Sequence, residues 1–232
     1  MEDSRQCKIY LSEPVHFVIQ GEGNLIGKKM LLFRVSGCNV KCDLCDSAFT
    51  WSEKSTISYT VKEFREFINI ERSKRSFDFI MVTGGAPSLY QDFLYEVFRT
   101  CTNFKFQVED AGDTNWYDFR NFEHVYFSFS PKIGALQGTT EIKEWDAFNH
   151  LPINWICKVV VDMNDWETNY SNIKEFQEKY CIPSEKIYLM PIGTHVNEIQ
   201  DQCQFLIDKC FEYNFNFAPR LHVLMFDNKK LV

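Results

Sequence analysis

"SGCNVKCDLCDSAFTW", residues 36–51, sets Cys38, Cys42 and Cys45 on one short loop directly behind the apolar run "LLFRVSG". The CxxxCxxC spacing lets a single loop wrap three thiolates around one inorganic centre. A structural zinc site closes with four protein ligands, typically two separated pairs. No second pair is present: His16, His124, His150, His195 and His222 stand singly, as do the six other cysteines, Cys7, Cys101, Cys157, Cys181, Cys203 and Cys210. Those six read as small buried hydrophobes. A [4Fe-4S] cluster is held by thiolates, and three of them leave one iron open for another ligand. On spacing alone, zinc with a distant fourth ligand and thiols without a metal stay open.

Working outward, the apolar run before the loop is one of a series. "LLFRVSG", "FDFIMVTGG", "FKFQVED", "HVYFSFS", "ICKVVVD", "KIYLMPIG" and "RLHVLMF" are candidate strands, separated by polar or amphipathic segments. Two of these segments show helical spacing: "TVKEFREFINIERSK" puts Val61, Phe64, Phe67 and Ile68 on one face, and "DQCQFLIDKCFEY" does so for Cys203, Leu206, Ile207 and Cys210. Strand–helix alternation predicts an α/β fold with a largely parallel sheet, whose ligands gather at the carboxyl ends of the strands. The cysteine loop lies at such an end.

The chain has 232 residues, 45% of them hydrophobic, and no Pro/Gly linker or repeat divides it, so residues 1–232 read as a single domain. Thirty-two acidic against 25 basic residues give a net charge of -7. That balance argues against a nucleic-acid surface, which needs clustered Lys and Arg, and points to small molecules or proteins as partners. "MEDSRQCKIY" lacks the apolar core of a signal peptide, and no run approaches the roughly 20 apolar residues of a membrane span. The expected location is cytoplasmic, with no membrane partner.

The flanks narrow the chemistry. "IQGEG" (residues 19–23), "FRVSGCN" (33–39), "CDSAFTW" (45–51), "TGGAP" (83–87), "SPK" (130–132), "KIYLMP" and the tail "PRLHVLMFDNKK" follow one another in order over nearly the whole chain. In this set the chain resembles the 7-carboxy-7-deazaguanine synthase family of the radical S-adenosylmethionine superfamily. The resemblance implies a radical S-adenosylmethionine core, a partial TIM-type barrel of largely parallel strands. It implies that the open iron chelates the amino and carboxylate groups of S-adenosylmethionine, and that the reduced cluster gives one electron to the sulfonium to release a 5'-deoxyadenosyl radical. The implied substrate is 6-carboxy-5,6,7,8-tetrahydropterin, and the implied product is 7-carboxy-7-deazaguanine, formed by ring contraction with loss of ammonia, a lyase reaction of queuosine and deazapurine biosynthesis. S-Adenosylmethionine would be regenerated. A magnesium ion, a homodimer and an electron donor such as a flavodoxin complete what the resemblance implies.

Residue by residue, the resemblance assigns Ile19, Gln20, Gly21 and Glu22 to the pterin, although a solvated loop would also tolerate these polar groups. Arg34 sits in an apolar strand and needs a partner; it suits a carboxylate by its fork geometry, and a structural salt bridge is the alternative. Thr83 and His222 are substrate contacts on the same grounds, His222 competing with the role of an ordinary core histidine. Ser47 would give its hydroxyl to magnesium, which favours oxygen ligands, while Ser47 and Asp46 could equally cap a turn. Leu44, Cys45, Asp46, Gly84, Gly85, Glu109, Ser130, Pro131, Lys132, Met190 and Pro191 would hold S-adenosylmethionine. "TGGAP" departs from a widespread superfamily form in having Ala86 where an acidic residue precedes the proline. Two other functions fit the cysteine loop: an activase that makes a glycyl radical on a partner protein, and a zinc-stabilised interaction module.

Overall fold

The parallel strands arise from apolar runs buried on both faces. In the computed structural model, which describes residues 7–52, 55–134, 144–227 and 229, the order is β1 (Lys8–Leu11), β2 (His16–Ile19), β3 (Lys29–Val35), β4 (Ile57–Thr60), α1 (Val61–Lys74), β5 (Phe79–Gly84), α2 (Gln91–Thr100), β6 (Phe106–Asp110), β7 (Val125–Phe129), β8 (Asn154–Val161), α3 (Trp166–Tyr180), β9 (Ile187–Pro191), α4 (Val196–Tyr213), β10 (Asn216–Phe217) and α5 (Leu221–Phe226). The sheet runs β10-β9-β8-β7-β6-β5-β3-β1-β4, with β2 also on β3. Every pairing from β3 to β10 is parallel. β1 and β2 join β3 antiparallel, and β4 joins β1 antiparallel. The sheet is not closed, so the fold is a partial barrel.

Strand alternation sorts the side chains. Leu31, Phe33, Ile80, Val82, Phe106, Val108, Phe127, Cys157, Val159 and Leu189 point outward into one large core under the helices. Aromatic rings dominate it: Phe33 lies 4.5 Å from Phe64 of α1, and Phe98 of α2 lies 5.0 Å from Phe106. Burying one such ring contributes roughly 2–3 kcal/mol. On the concave face Met30, Leu32, Phe79 and Met81 with Leu25 form a small apolar floor. Beyond that floor, toward the strands' carboxyl ends, this face turns polar. α1 opens with a capping box in which the Thr60 hydroxyl accepts from the Glu63 N–H and the Glu63 carboxylate accepts from the Thr60 N–H.

Three expectations are corrected. "RLHVLMF" is not a strand: β10 already occupies the free edge of β9, and Leu221–Phe226 instead coils as α5, its first N–H donating to the Gly21 carbonyl at 2.8 Å. Short apolar runs do not distinguish the two states by themselves. The second helix starts earlier than its apolar face, at Val196, because Glu198 accepts from the N–H groups of Thr194 and His195. Among the six scattered cysteines Cys101, Cys157 and Cys210 are buried as expected, whereas Cys181 is exposed, ending α3 in a left-handed conformation (φ 53°). Among the described residues no helix is long and apolar enough to cross a membrane.

Candidate functional site

A cleft of about 700 Å³ opens at the carboxyl ends of β3, β5, β6, β7, β8 and β9. One wall is the cysteine loop, which β3 delivers there. Backbone bonds fasten that loop at its base: Gly37 N–H donates to Thr50 O, and Tyr90 Oη–H donates to Ser36 O. The turn after β5 docks onto the same place, with Gly85 N–H on Val35 O and Ala86 N–H on Gly37 O. The glycines are required by this contact. Gly84 has φ +114°, and a Cβ on Gly85 would lie 1.8 Å from the Gly37 carbonyl oxygen. Behind the turn, buried Asp110 accepts from the N–H groups of Ser88 (3.1 Å) and Gly112 (2.9 Å), and burial pushes its carboxyl up.

Cys38, Cys42 and Cys45 are free thiols and all line the cleft. Among the described residues no three His, Cys, Asp or Glu side chains gather on a single point as one metal ion requires. A cubane needs no such convergence, since each thiolate binds a different iron. Three soft donors on one loop facing one cavity fit that group by donor chemistry. Leu44, exposed at the mouth, and Asp46 belong to the same wall.

The opposite wall is a buried charged network that the concave face brings together. Gln20, following β2, donates through Nε2 to Gln107 Oε1 at 2.6 Å and to Glu109 Oε1 at 3.1 Å, and its own Oε1 accepts from Glu22 N–H. Thr83 donates to Glu109 at 3.1 Å. Lys158, in the middle of β8 with its side chain 5% exposed, is ion-paired with Glu22 and lies 3.5 Å from Glu109. Arg220 donates to Glu22 at 3.1 Å and to Asp46 at 2.5 Å. Burial pushes the Glu22 carboxyl up, but the charges of Lys158, Arg220 and His222 outweigh it and hold the group below the ordinary carboxylate range. Burial likewise works against the Lys158 ammonium, and Glu109 and Glu22 overcome it, keeping the amine protonated. His222, 3.9 Å from Glu22, is held below the usual histidine value by burial, assisted by the neighbouring cations.

The expected residues distribute as follows. Ile19, Gln20, Gly21, Glu22, Thr83 and His222 meet in the cleft, with His222 packed on Gly21 so closely that a Cβ there would lie 2.3 Å from Nδ1. Glu109, expected beside the cofactor, bonds instead to Gln20, Thr83 and Lys158, within the group expected at the pterin. Arg34 is ion-paired with Glu13 at 2.6 Å, with one Nη 3.5 Å from Ser47 Oγ; Ser47 in turn donates to Asp46 at 3.0 Å. Ser130 accepts from Lys132 Nζ at 3.2 Å, and both line the cleft. Pro131 and Pro191 are buried and do not line it: Pro191 pairs in register with outward-facing Val161, leaving Met190 as the cleft residue of β9. Lys158, Arg220, Glu13, Gln107 and Asp110 were missed. Lys158 carried a signal, since a lysine amid "ICKVVVD" must find a buried partner.

The comparisons agree with this geometry. A family model described as a 4Fe-4S single cluster domain matches residues 19–124. The 7-carboxy-7-deazaguanine synthase of Bacillus cereus is 28% identical over 91% of this chain and 94% of its own. That of Halobacterium salinarum is 26% identical over 91% and 88%. The crystal structure of QueE from Escherichia coli shares the fold, with a TM-score of 0.65 over 93% of this chain and 95% of that one at 19% identity. With its cluster loop and partial barrel, the chain is similar over nearly its whole length to the 7-carboxy-7-deazaguanine synthases and shares the fold of QueE.

Proposed function

We propose that this cleft binds 6-carboxy-5,6,7,8-tetrahydropterin and converts it to 7-carboxy-7-deazaguanine with loss of ammonia. The observation that carries the reading is one cleft with three free thiols on a single loop and, facing them, the buried polar set Gln20, Glu22 and Glu109. The cluster with bound S-adenosylmethionine supplies a reducing electron and a hydrogen-abstracting radical, and Cys38, Cys42 and Cys45 are the residues that would hold it. Leu44, Asp46, the backbone of Gly84 and Gly85, and Ser130, Lys132 and Met190, which line the same cleft, would hold the rest of the cofactor.

On the substrate side, Gln20 and Glu22 offer the mixed donors and acceptors that a pterin's amide and amino edge requires. Lys158 holds the Glu22 carboxyl below the ordinary range, so Glu22 remains an acceptor at neutral pH, and the same ammonium lies 3.5 Å from Glu109. Thr83 and His222 border the same space. Arg34 would take the substrate carboxylate, sharing its charge with Glu13. Ser47 would offer its oxygen to magnesium, a hard cation that favours oxygen ligands and would help to neutralise the substrate carboxylate. A homodimer and a one-electron donor protein belong to the same proposal.

The test is anaerobic incubation of reconstituted protein with reductant, S-adenosylmethionine, magnesium and the carboxypterin, followed by mass analysis. The expected product has lost ammonia. An intact cluster that cleaves the cofactor without changing the pterin would overturn the substrate assignment.

A further inference from the structure

Arg220 is 8% exposed, and a guanidinium at that depth must be satisfied on all sides. Its three bonds go to three different segments. Nε donates to Glu22 in the turn after β2, one Nη donates to the Gly193 carbonyl after β9, and the other donates to Asp46, one residue beyond Cys45 in the cysteine loop. α5 is fixed to the first of these segments by backbone as well, through Leu221 N–H on Gly21 O at 2.8 Å and by the packing of His222 on Gly21. The turn and Arg220 therefore form one unit, and the bond to Asp46 crosses from that unit to the loop that carries the thiols. The Asp46 side chain is half-exposed while that of Arg220 is 10% exposed. The arginine thus fixes a loop carboxylate that water alone would leave free to move.

We propose that Arg220 is a positioning residue that couples the cysteine loop to the substrate turn and so fixes the separation between the two halves of the cleft. The identity of the two ligands rests on the function proposed above; the coupling itself does not. The fork is essential: a planar guanidinium bonds Glu22 and Asp46 at once, whereas a lysine ammonium is a single point charge on a flexible stem and serves one of them. Arg220→Lys keeps the charge and loses the bridge. Misplacement by about 1 Å lowers the chance of productive reaction by up to about a hundredfold, so the consequence falls on coupling rather than on cofactor binding.

The test uses the full chain as wild type, Arg220→Lys and Asp46→Asn. In the reduced, cluster-free proteins, alkylation by iodoacetamide is followed by peptide mass spectrometry. The expected result is roughly tenfold faster labelling of Cys38, Cys42 and Cys45 in both variants, with buried Cys101 and Cys157 labelled at the wild-type rate. In the reconstituted proteins with pterin, iron content is expected to stay at the wild-type level while 5'-deoxyadenosine released per product rises about tenfold. Wild-type labelling of the loop cysteines in both variants, or an unchanged ratio in Arg220→Lys, overturns the proposal. If Arg220→Lys also exposes Cys157, Asp46→Asn, which leaves the Arg220–Glu22 pair intact, decides by the same rates. A wild type that makes no product from the pterin defeats the substrate assignment, and the alkylation arm still reads the coupling.

Discussion

Lys158 is the buried cation between two largely buried carboxylates, Glu22 and Glu109. Removing one partner of a buried ion network leaves uncompensated charge and costs about 3–5 kcal/mol. Lys158→Met is expected to lose that much in urea denaturation of the cluster-free protein, and a loss below about 1 kcal/mol would show that Arg220 compensates. His222 gives a pH signature. Burial lowers its folded pKa, so the unfolded chain protonates first and stability falls as the pH drops below the ordinary histidine value of about 6.5. In His222→Gln this part of the slope in urea midpoint between pH 7 and 5 is expected to vanish. Glu22 acts with the same sign in a more acidic window: its folded pKa is also depressed, so its contribution is present above the ordinary carboxylate range and is lost as the pH falls through and below it. At this scale the sequence showed Arg34, Gln20 and Glu22 as polar groups in apolar company. It did not show that Glu13 pairs with Arg34 or that Arg220 reaches Asp46, because those contacts span 21 and 174 residues and depend on how the loops fold back.

Among the elements, the cysteine loop and the Gly-Gly turn act as one piece, because Gly85 packs directly on the Gly37 carbonyl. Gly85→Ala forces these backbones apart and is expected to cost roughly 1–3 kcal/mol. The predicted variant keeps its far-UV spectrum but takes up less iron on reconstitution, as measured by iron and sulfide analysis; wild-type uptake would show that the turn is not needed to shape the loop. The parallel strands were legible because a strand covered on both faces is a continuous apolar run. The antiparallel strands β1, β2 and β4 are four residues each, too short to show a period, and "RLHVLMF" gave a false strand because a short apolar run does not by itself separate strand from helix.

For the molecule as a whole, the cysteine wall was readable from its own spacing, whereas Gln20, Glu22, Thr83 and His222 of the facing wall were reached only through the family resemblance and Lys158 and Arg220 not at all. CxxxCxxC is local, so its placement at a strand end followed from the chain order alone. The facing network is assembled from β2, β5, β6, β8 and the start of α5, and nothing local announces that these meet. Substituting any one of Cys38, Cys42 or Cys45 by Ser is expected to leave the barrel folded, with unchanged far-UV circular dichroism, while abolishing a stable cluster and all turnover; full iron and sulfide retention in any of the three would remove that residue from the ligand set. The most direct test of the open-iron account is low-temperature electron paramagnetic resonance of the reconstituted, reduced wild-type protein with and without S-adenosylmethionine. The account predicts a [4Fe-4S] signal that changes on addition of the cofactor, and a reduced cluster whose signal is indifferent to it, or a protein that takes up no cluster, would contradict it.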